Sequence, residues 1–475
     1  MVFTEALGVG VSDIGAAAAS AIPVDWCLVK TTTEFREIQM RTIALTSLFW
    51  LCLGLPWSQA EPGKPVAVRW WGQAMVSIET YWNFNIVIDP FSLSIGYEDP
   101  GLSADLVLIT HNHPDHNNPD IIKGEPMLVR GLRESGEYAG IYQVLDRFPN
   151  QQDNRWTDAR LRMARSPHSV IVTSIPAWHD DEQGAKRGAD TMFLIEVDGV
   201  RIAHCGDIGQ SQFTGGQLKA MGKVDVLLIP VGGTYTVDGA QAAVLVEQVK
   251  PRIVVPIHFK TKALKIDLAG VEPFLAALGS AYEVVRPVGN TLAVSANNEN
   301  VESPKNRVVV LNYLPWEMPE ELSELFDLKE AASAATQDVF APLSANQMNF
   351  RPSNGTHTPR WNAEHMMGRE LGFFTEIFSK VDPAIAKIDL NPAQMPPDYE
   401  ASHPDWNGAE EARQIERVSA LTRRFAYLLA ELPLDDQAPG SRWTPRKLLE
   451  QMARHYGEHT ENVKLKFELT DWPQE

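Results

Sequence analysis

Cysteine is nearly absent from this chain, with 3 in 475 residues. Cys27 and Cys52 lie upstream of the end of the export signal described below, which leaves Cys205 alone in the mature chain and excludes a disulfide within one subunit. Basic residues are also in deficit: 42 Lys plus Arg against 61 Asp plus Glu give a net charge of −19. That balance argues against nucleic acid or an anionic membrane surface as the main partner, because neutralising phosphate needs a basic face. No apolar run reaches the roughly 20 residues that a bilayer span takes, and there is no internal repeat or long low-complexity segment. Histidine is scarce as well, at 12, so the places where it clusters are informative. What is present is ordinary for a globular protein, 44% hydrophobic and 22% charged, at a length that suggests roughly two or three domains.

The stretch "MRTIALTSLFWLCLGLPWSQAEPGKP" (40–65) has the parts of a secretory signal peptide. Arg41 is a basic start, Ile43 to Leu55 an apolar core, and Ser58-Gln59-Ala60 a small-x-small end. Cleavage after Ala60 is expected, giving a periplasmic or secreted chain without stable membrane insertion. Phe49-Trp50-Leu51 before Cys52 lacks the small residues of a lipoprotein signal. Residues 1–39 precede a signal that normally opens a chain. They read either as a mis-assigned start, with translation beginning at Met40, or as a disordered extension.

From 61 to 295, strand-like runs such as "VAVRWW", "FNIVIDP", "DLVLIT", "VDVLLIP" and "RIVVPIH" alternate with loops, and helical patterns occur at 240–248 and 271–278. Continuous Val/Ile/Leu runs predict strands buried on at least one whole face, and "VDG" at 197–199 predicts a hairpin turn. The mixture predicts an α/β sandwich. A polar stretch at 296–310 reads as a linker. From 311 to 475 the apolar spacing turns helical over 317–340, 362–379, 409–432 and 445–469, which predicts an all-α four-helix bundle.

The first cluster is "THNHPDH" (110–116), directly after the apolar run "ADLVLI". Asn112, Pro114, Asn117 and Asn118 already supply turn chemistry, so the histidines are surplus to the turn. Neutral imidazole and ionised carboxylate are natural ligands of a borderline metal ion, and alternate residues leaving a strand can aim at one point. His111 and His113 would hold one ion, Asp115 and His116 a second. Further ligands are available where other strands should end: His179 in "IPAWHDD", Asp207 in "HCGDIG" and His258 in "VVPIHFK".

These residues resemble the metallo-β-lactamase superfamily of hydrolases, in the H-x-H-x-D-H motif, the later His179, Gly206-Asp207 and the final His258. The resemblance implies a four-layer αβ/βα sandwich with a dinuclear site at one edge. His111, His113 and His179 would then bind one divalent ion, Asp115, His116 and His258 the other, and Asp207 would bridge them. Asp89 in "IVIDP" would orient the ligand loop, although with Pro90 it reads equally as a strand-end turn. "HDDEQGAKRGADT" (179–191), "HCGDIGQ" and "IPVGGTYT" (229–236) are similar to a branch that includes ascorbate phosphate lactonase. Lys186 and Arg187 read as solvated surface and stay outside the site. Gly232 and Gly233 read as a turn near it, Tyr235 as a candidate substrate contact, and His204 as structural.

The second cluster places His365 in "EHMMGRELGFF" and His455 with His459 in "HYGEHTENV". Two histidines at i and i+4 share a helical face, which suits one ion with a third ligand from a facing helix. H-x-x-x-H alone is equally a pair of helix-surface histidines. Together with "NFRPSNGTHTPRWNAEHMMGRELGFF" and "TPRKLLEQMARHYGEHTENV", however, these residues resemble the DinB-like four-helix family. That resemblance implies a three-histidine metal site; His357, in the preceding loop, reads as structural.

The leading expectation is an exported metal-dependent hydrolase. Two divalent ions, for which the histidine-rich site suits Zn²⁺, would activate water against a lactone, ester, amide or phosphodiester of a small-molecule substrate. Asp115 or Asp207 would steer the nucleophile's proton. A third divalent ion would sit in the accessory bundle. The competing expectations are a metal-dependent thiol transferase, with the bundle catalytic, and a non-catalytic metal-binding protein. The intact ligand set of the first cluster argues against the thiol transferase. Oligomeric state is not readable.

Overall fold

The computed structural model describes residues 64–146, 157–158, 169–296, 306–388 and 399–474. The signal peptide, its cleavage site and residues 1–39 lie outside the described residues. The strands form two sheets. The six-stranded sheet runs β14 (Thr291–Val294), β1 (Val66–Gly72), β2 (Met75–Glu79), β3 (Asn85–Ile88), β4 (Leu106–Ile109) and β5 (Met127–Arg130). The nine-stranded sheet runs β13 (Glu283–Val285), β15 (Arg307–Val309), β12 (Ile253–Ile257), β11 (Val226–Pro230), β10 (Val200–His204), β9 (Ala189–Val197), β8 (Ser169–Trp178), β6 (Tyr142–Asp146) and β7 (Thr157–Asp158).

The strands form where β-branched and aliphatic residues run together. Every residue of β11 (VLLIP) and β12 (IVVPI) is buried, as parallel strands covered on both faces require. β9 and β10 are joined by Asp198 (φ +48°) and Gly199 (φ +76°), the Asp-Gly chemistry of a hairpin turn. Apolar side chains between the sheets, Trp70 and Phe193 among them, make the main core. Helices α1 (Gly215–Met221) and α2 (Gly239–Val249) pack on β8 and β11, and α3 (Glu272–Leu278) packs on α2. Capping boxes Thr214/Gln217 and Asp238/Gln241 start α1 and α2. On its outer face the six-stranded sheet is covered by a separate cluster, in which Val87 and Val107 pack with Phe91, Tyr97, Leu264 and Leu268.

Strand direction positions the site. β3 and β4 are parallel, as are β10, β11 and β12, and β8 shares the direction of β10 because each is antiparallel to β9. The carboxyl ends of β3, β4, β8, β10 and β12 therefore open on one edge, the ordinary location of a ligand crevice in α/β sheets.

The bundle is built from α4 (Glu320–Phe340), α5 (Pro359–Val381), α6 (Gly408–Arg424) and α7 (Pro445–Lys464). α4 packs on α6 and α7, and α5 packs on the same two. Thr-Pro-Arg opens both α5 and α7: Thr358 and Thr444 cap through their side chains, and proline takes the next position, where no N–H is needed. At the centre Lys329 Nζ pairs with Glu370 Oε1 at 2.7 Å, both fully buried. Glu370 also accepts from Thr422 Oγ1 (2.5 Å) and Tyr456 OH (2.6 Å). One contiguous apolar core joins sandwich and bundle. Arg424 crosses between them to Glu79 (2.6 Å), to Thr80 O (2.9 Å) and to Asn83 Oδ1 (3.0 Å), at the end of β3 opposite Asp89.

The segment read as a linker, 296–310, differs in its last part. Arg307–Val309 is strand β15, inserted parallel between β12 and β13. Three residues following a polar run are too few to show a period in sequence. The helix expected over 409–432 stops at Arg424 and continues as a 3₁₀ turn, Ala426–Leu429. No helix of the described residues is long and apolar enough to cross a membrane.

Candidate metal centres

At the sandwich edge, His111, His113, Asp115 and His116 leave β4, and His179, Asp207 and His258 come from the loops after β8, β10 and β12. One ligand atom from each of His111, His113 and His179 falls within 4.8 Å of the others, and so do atoms of Asp115, His116, Asp207 and His258. Asp207 lies between the groups. Its Oδ2 is 3.3 Å from both His179 Nε2 and His258 Nε2, and its Oδ1 is 3.1 Å from His116 Nε2. These atoms nevertheless lack hydrogen-bonding geometry, so Asp207 Oδ1 and the Nε2 atoms of His116, His179 and His258 are buried polar atoms without partners. Lone pairs converging in this way on shared points, from imidazole and carboxylate donors, fit divalent metal ions.

The surrounding residues hold the donors in place. Asp89 is fully buried at φ +51°, a conformation a non-glycine residue adopts at a cost of about 1 kcal/mol or more. Its Oδ1 accepts from Thr110 N (2.8 Å), while Oδ2 accepts from Thr110 Oγ1 (2.7 Å) and His116 Nδ1 (2.9 Å). The His116 proton is thus fixed on Nδ1 and Nε2 is left free for the site. Thr110 Oγ1, whose proton goes to Asp89, accepts from His111 Nδ1 (3.0 Å) and does the corresponding work there, while Asp190, at the start of β9, lies 3.2 Å from the same nitrogen with neither carboxylate oxygen hydrogen-bonded. Gly206 is required beside it: φ is +55°, and a Cβ would sit 2.6 Å from Asp190 Oδ1. Gln73, in the β1–β2 turn at φ +48°, donates from Nε2 to Asp115 Oδ2 (2.9 Å), and its carbonyl accepts from His258 N (2.8 Å).

Electrostatics follow from this crowding. Burial alone would raise the Asp207 carboxyl, but His116 and His258 outweigh it and hold it well below the usual range. His113, at the mouth, is pushed down to about 4 by partial burial and by His111 and His179.

The rim matches the sequence reading in part. Lys186 is exposed and pairs with Glu182. Arg187 instead bridges loops, donating from Nη2 to Thr234 O at 2.7 Å. Asp180 organises the 180–188 loop by accepting from the backbone N–H groups of Glu182, Gly184, Lys186 and Arg187. A Cβ on Gly232 would meet His258 O at 2.2 Å, so the glycine permits a close approach, and Tyr235 is exposed. His204 is buried between Ala74 O and Gly206 N and belongs to neither group of converging ligand atoms. Cys205 is a buried free thiol whose pKa burial pushes up.

In the bundle, His365 on α5 meets His455 and His459 on α7, with one nitrogen of each within 4.8 Å of the others. His459 Nδ1–H donates to Asn362 Oδ1 (2.7 Å), which leaves Nε2 to face its neighbours. His365 Nδ1 and His455 Nε2 are buried without partners. Burial and mutual repulsion push His365 to about 4 and His459 to about 3, keeping the rings neutral as metal ligation requires. Trp361 stacks on His365 at 4.5 Å, and His357 stacks on Trp361 at 3.7 Å.

Known proteins share both regions. Residues 67–258 match the β-lactamase superfamily domain and residues 329–463 the DinB superfamily. A UPF0173 metal-dependent hydrolase of Cupriavidus necator is 31% identical over 254 residues, covering 48% of this chain and 83% of that protein. Another, from Archaeoglobus fulgidus, is 29% identical over 46% of this chain and 98% of its own length. The chain belongs to this family of metal-dependent hydrolases. A crystal structure from Thermotoga maritima, described as a Zn-dependent hydrolase of the metallo-β-lactamase superfamily, is 28% identical, covers 52% of this chain and 98% of that one, and has a TM-score of 0.34.

Sequence reasoning did not single out Asp190, Gln73, Asp180 or Asn362 in the hydrolase. Asp190 and Gln73 meet their partners only across the folded sheets. Asn362 had a local signal, one turn before His365 on the same helical face.

Proposed function

We propose that the hydrolase holds two divalent ions at the sandwich edge, Zn²⁺ being the natural choice for these donors, and cleaves a lactone, ester, amide or phosphodiester bond of a small molecule. The observation that carries this reading is the convergence of the partnerless Nε2 and carboxylate atoms around Asp207. His111, His113 and His179 would hold one ion, Asp115, His116 and His258 the other, with Asp207 between. When bound, such ions supply Lewis acidity that polarises the bond under attack and lowers the pKa of a coordinated water from ~15.7 to about 7.

The protein's own residues do the rest. Asp89 fixes the tautomer of His116, and Thr110, itself donating to Asp89, fixes that of His111. Asp207 is enclosed by histidines and serves as a fixed negative charge. Asp115 is partly exposed at the mouth, its Oδ2 anchored by Gln73, and its carboxylate would take the proton released as water adds to substrate. His365, His455 and His459 would hold a third ion in an accessory site. Export from a signal at 40–60 is part of the reading and rests on sequence alone.

The test is metal analysis of the mature protein with a panel of lactones, esters, amides and phosphodiesters. We expect about three ions per chain and hydrolysis that falls on the order of 10³-fold in His113→Ala. Activity retained in that variant sinks the proposal. No turnover on the panel by fully loaded protein favours a metal-binding role instead.

A further inference from the structure

Beside the bundle histidines is a cavity of about 490 Å³, within the range of small-molecule sites. His365 and His455 form one wall. Phe373 and Trp443, packed edge to face with ring centres 6.0 Å apart, and Met452 form an apolar one. The remaining lining includes two guanidinium groups, Arg369 and Arg442, and no carboxylate. Arg369 is one turn beyond His365 on α5, so both project from the same helical face. Arg442 lies with its guanidinium carbon 5.1 Å from the Trp443 ring centre.

Neither arginine forms an ion pair among the described residues, whereas Arg413, Arg423, Arg424 and Arg446 of the same bundle all do. In a chain with a net charge of −19, two unpaired guanidiniums facing one cavity leave a local positive field where carboxylate partners are plentiful elsewhere. A planar guanidinium matches a carboxylate through paired N–H donors. The aromatic and thioether wall suits an apolar body.

We propose that this cavity binds a small organic carboxylate with an apolar body, its charged end held by Arg369 and Arg442 beside the three histidines. The inference shares with the proposed function only the reading of those histidines as a metal site, and concerns no residue of the sandwich edge. It makes the bundle a ligand-binding site in its own right.

Calorimetric titration of the zinc-loaded full-length mature protein with benzoate, against neutral benzamide, tests it. Benzoate is expected to bind with benzamide at least roughly 10-fold weaker, and the double variant Arg369→Gln/Arg442→Gln to lose roughly 10-fold or more in benzoate affinity. Both arginines are exposed, so the fold should survive; circular dichroism and zinc content unchanged from the parent verify that. His113→Ala, which removes a sandwich ligand, should leave the arginine-dependent binding in place. Equal binding of benzoate and benzamide, benzoate affinity indifferent to the double variant, binding lost in His113→Ala alone, or no binding at all overturns the proposal. Zinc content and hydrolysis are read on the same samples, so failure of the proposed function shows there and not in the benzoate titration.

Discussion

At the sandwich edge the candidate ligands arrive on four loops, whereas in the bundle three arrive on two regular helices. Loops do not hold side chains by themselves, and the sandwich compensates with a buried carboxylate behind the histidines, Asp89, which holds His116 directly and His111 through Thr110. It also stores strain there, with Asp89 at φ +51° and His258 at φ +50°. The bundle needs neither. Helical spacing aligns His455 with His459, the caps Thr358 and Thr444 set where α5 and α7 begin, and a single amide, Asn362, orients one ring. Similar donors are thus positioned by tertiary support in one region and by secondary structure in the other.

If the two regions are positioned independently, they should also act separately. Asp207→Ala should lower hydrolysis on the order of 10³-fold or more while the bundle keeps its ion, and His459→Ala should do the reverse. Loss of both metal sites in either variant, by elemental analysis, would show that they are one system.

Bundle stability should depend on its buried ion pair rather than on its metal. Lys329→Met leaves Glu370 charged in the core and should cost about 3–5 kcal/mol in urea unfolding, with much of it recovered by the further change Glu370→Leu. An unfolding midpoint indifferent to Lys329→Met contradicts this.

A smaller effect separates the supports. Asp89→Asn should weaken metal binding at the sandwich edge about 10- to 100-fold, near the upper end because both His116 and the Thr110 that holds His111 depend on it. Asn362→Ala should weaken the bundle site toward the lower end, since the helices still present all three rings. Competition with a chromophoric chelator measures both, and the reverse ranking would overturn the distinction.

The smallest expected effect concerns the hairpin turn at the other end of β9 and β10. Burial raises the Asp198 carboxyl from its ordinary 3.8 to about 6, against the opposing Trp82 hydrogen bond (3.0 Å) and Lys64. A raised folded-state value means that its contribution is fully present below about pH 4 and lost as pH rises through about 6. Relative to Asp198→Asn, the parent should lose on the order of 1 kcal/mol over that window in urea melts. Parallel pH profiles would show that Asp198 does not carry this dependence.

How much of this was legible in sequence follows the same division. Four of the sandwich ligands sit within "HNHPDH", a spacing that betrays itself without any fold, and His179, Asp207 and His258 each follow a readable apolar run. Asp89 could be suspected only because it ends such a run; its contact with His116 across 27 positions needed the parallel pairing of β3 and β4. Asp190 and Gln73 look like ordinary strand and turn residues, because what they touch is remote in the chain. Strand β15 was hidden for a related reason: its three residues become a strand only by filling the gap between β12 and β13. In the bundle, helix period made the elements readable, but the Lys329–Glu370 pair was not, since its partners are 41 residues apart on different helices.

The proposed site stands on two ions flanking Asp207. Anomalous diffraction at the zinc edge from crystals of the loaded chain should then show two peaks at the sandwich edge, one against His111, His113 and His179 and one against Asp115, His116 and His258, with Asp207 touching both. A single peak there, or two with Asp207 turned away, would contradict it.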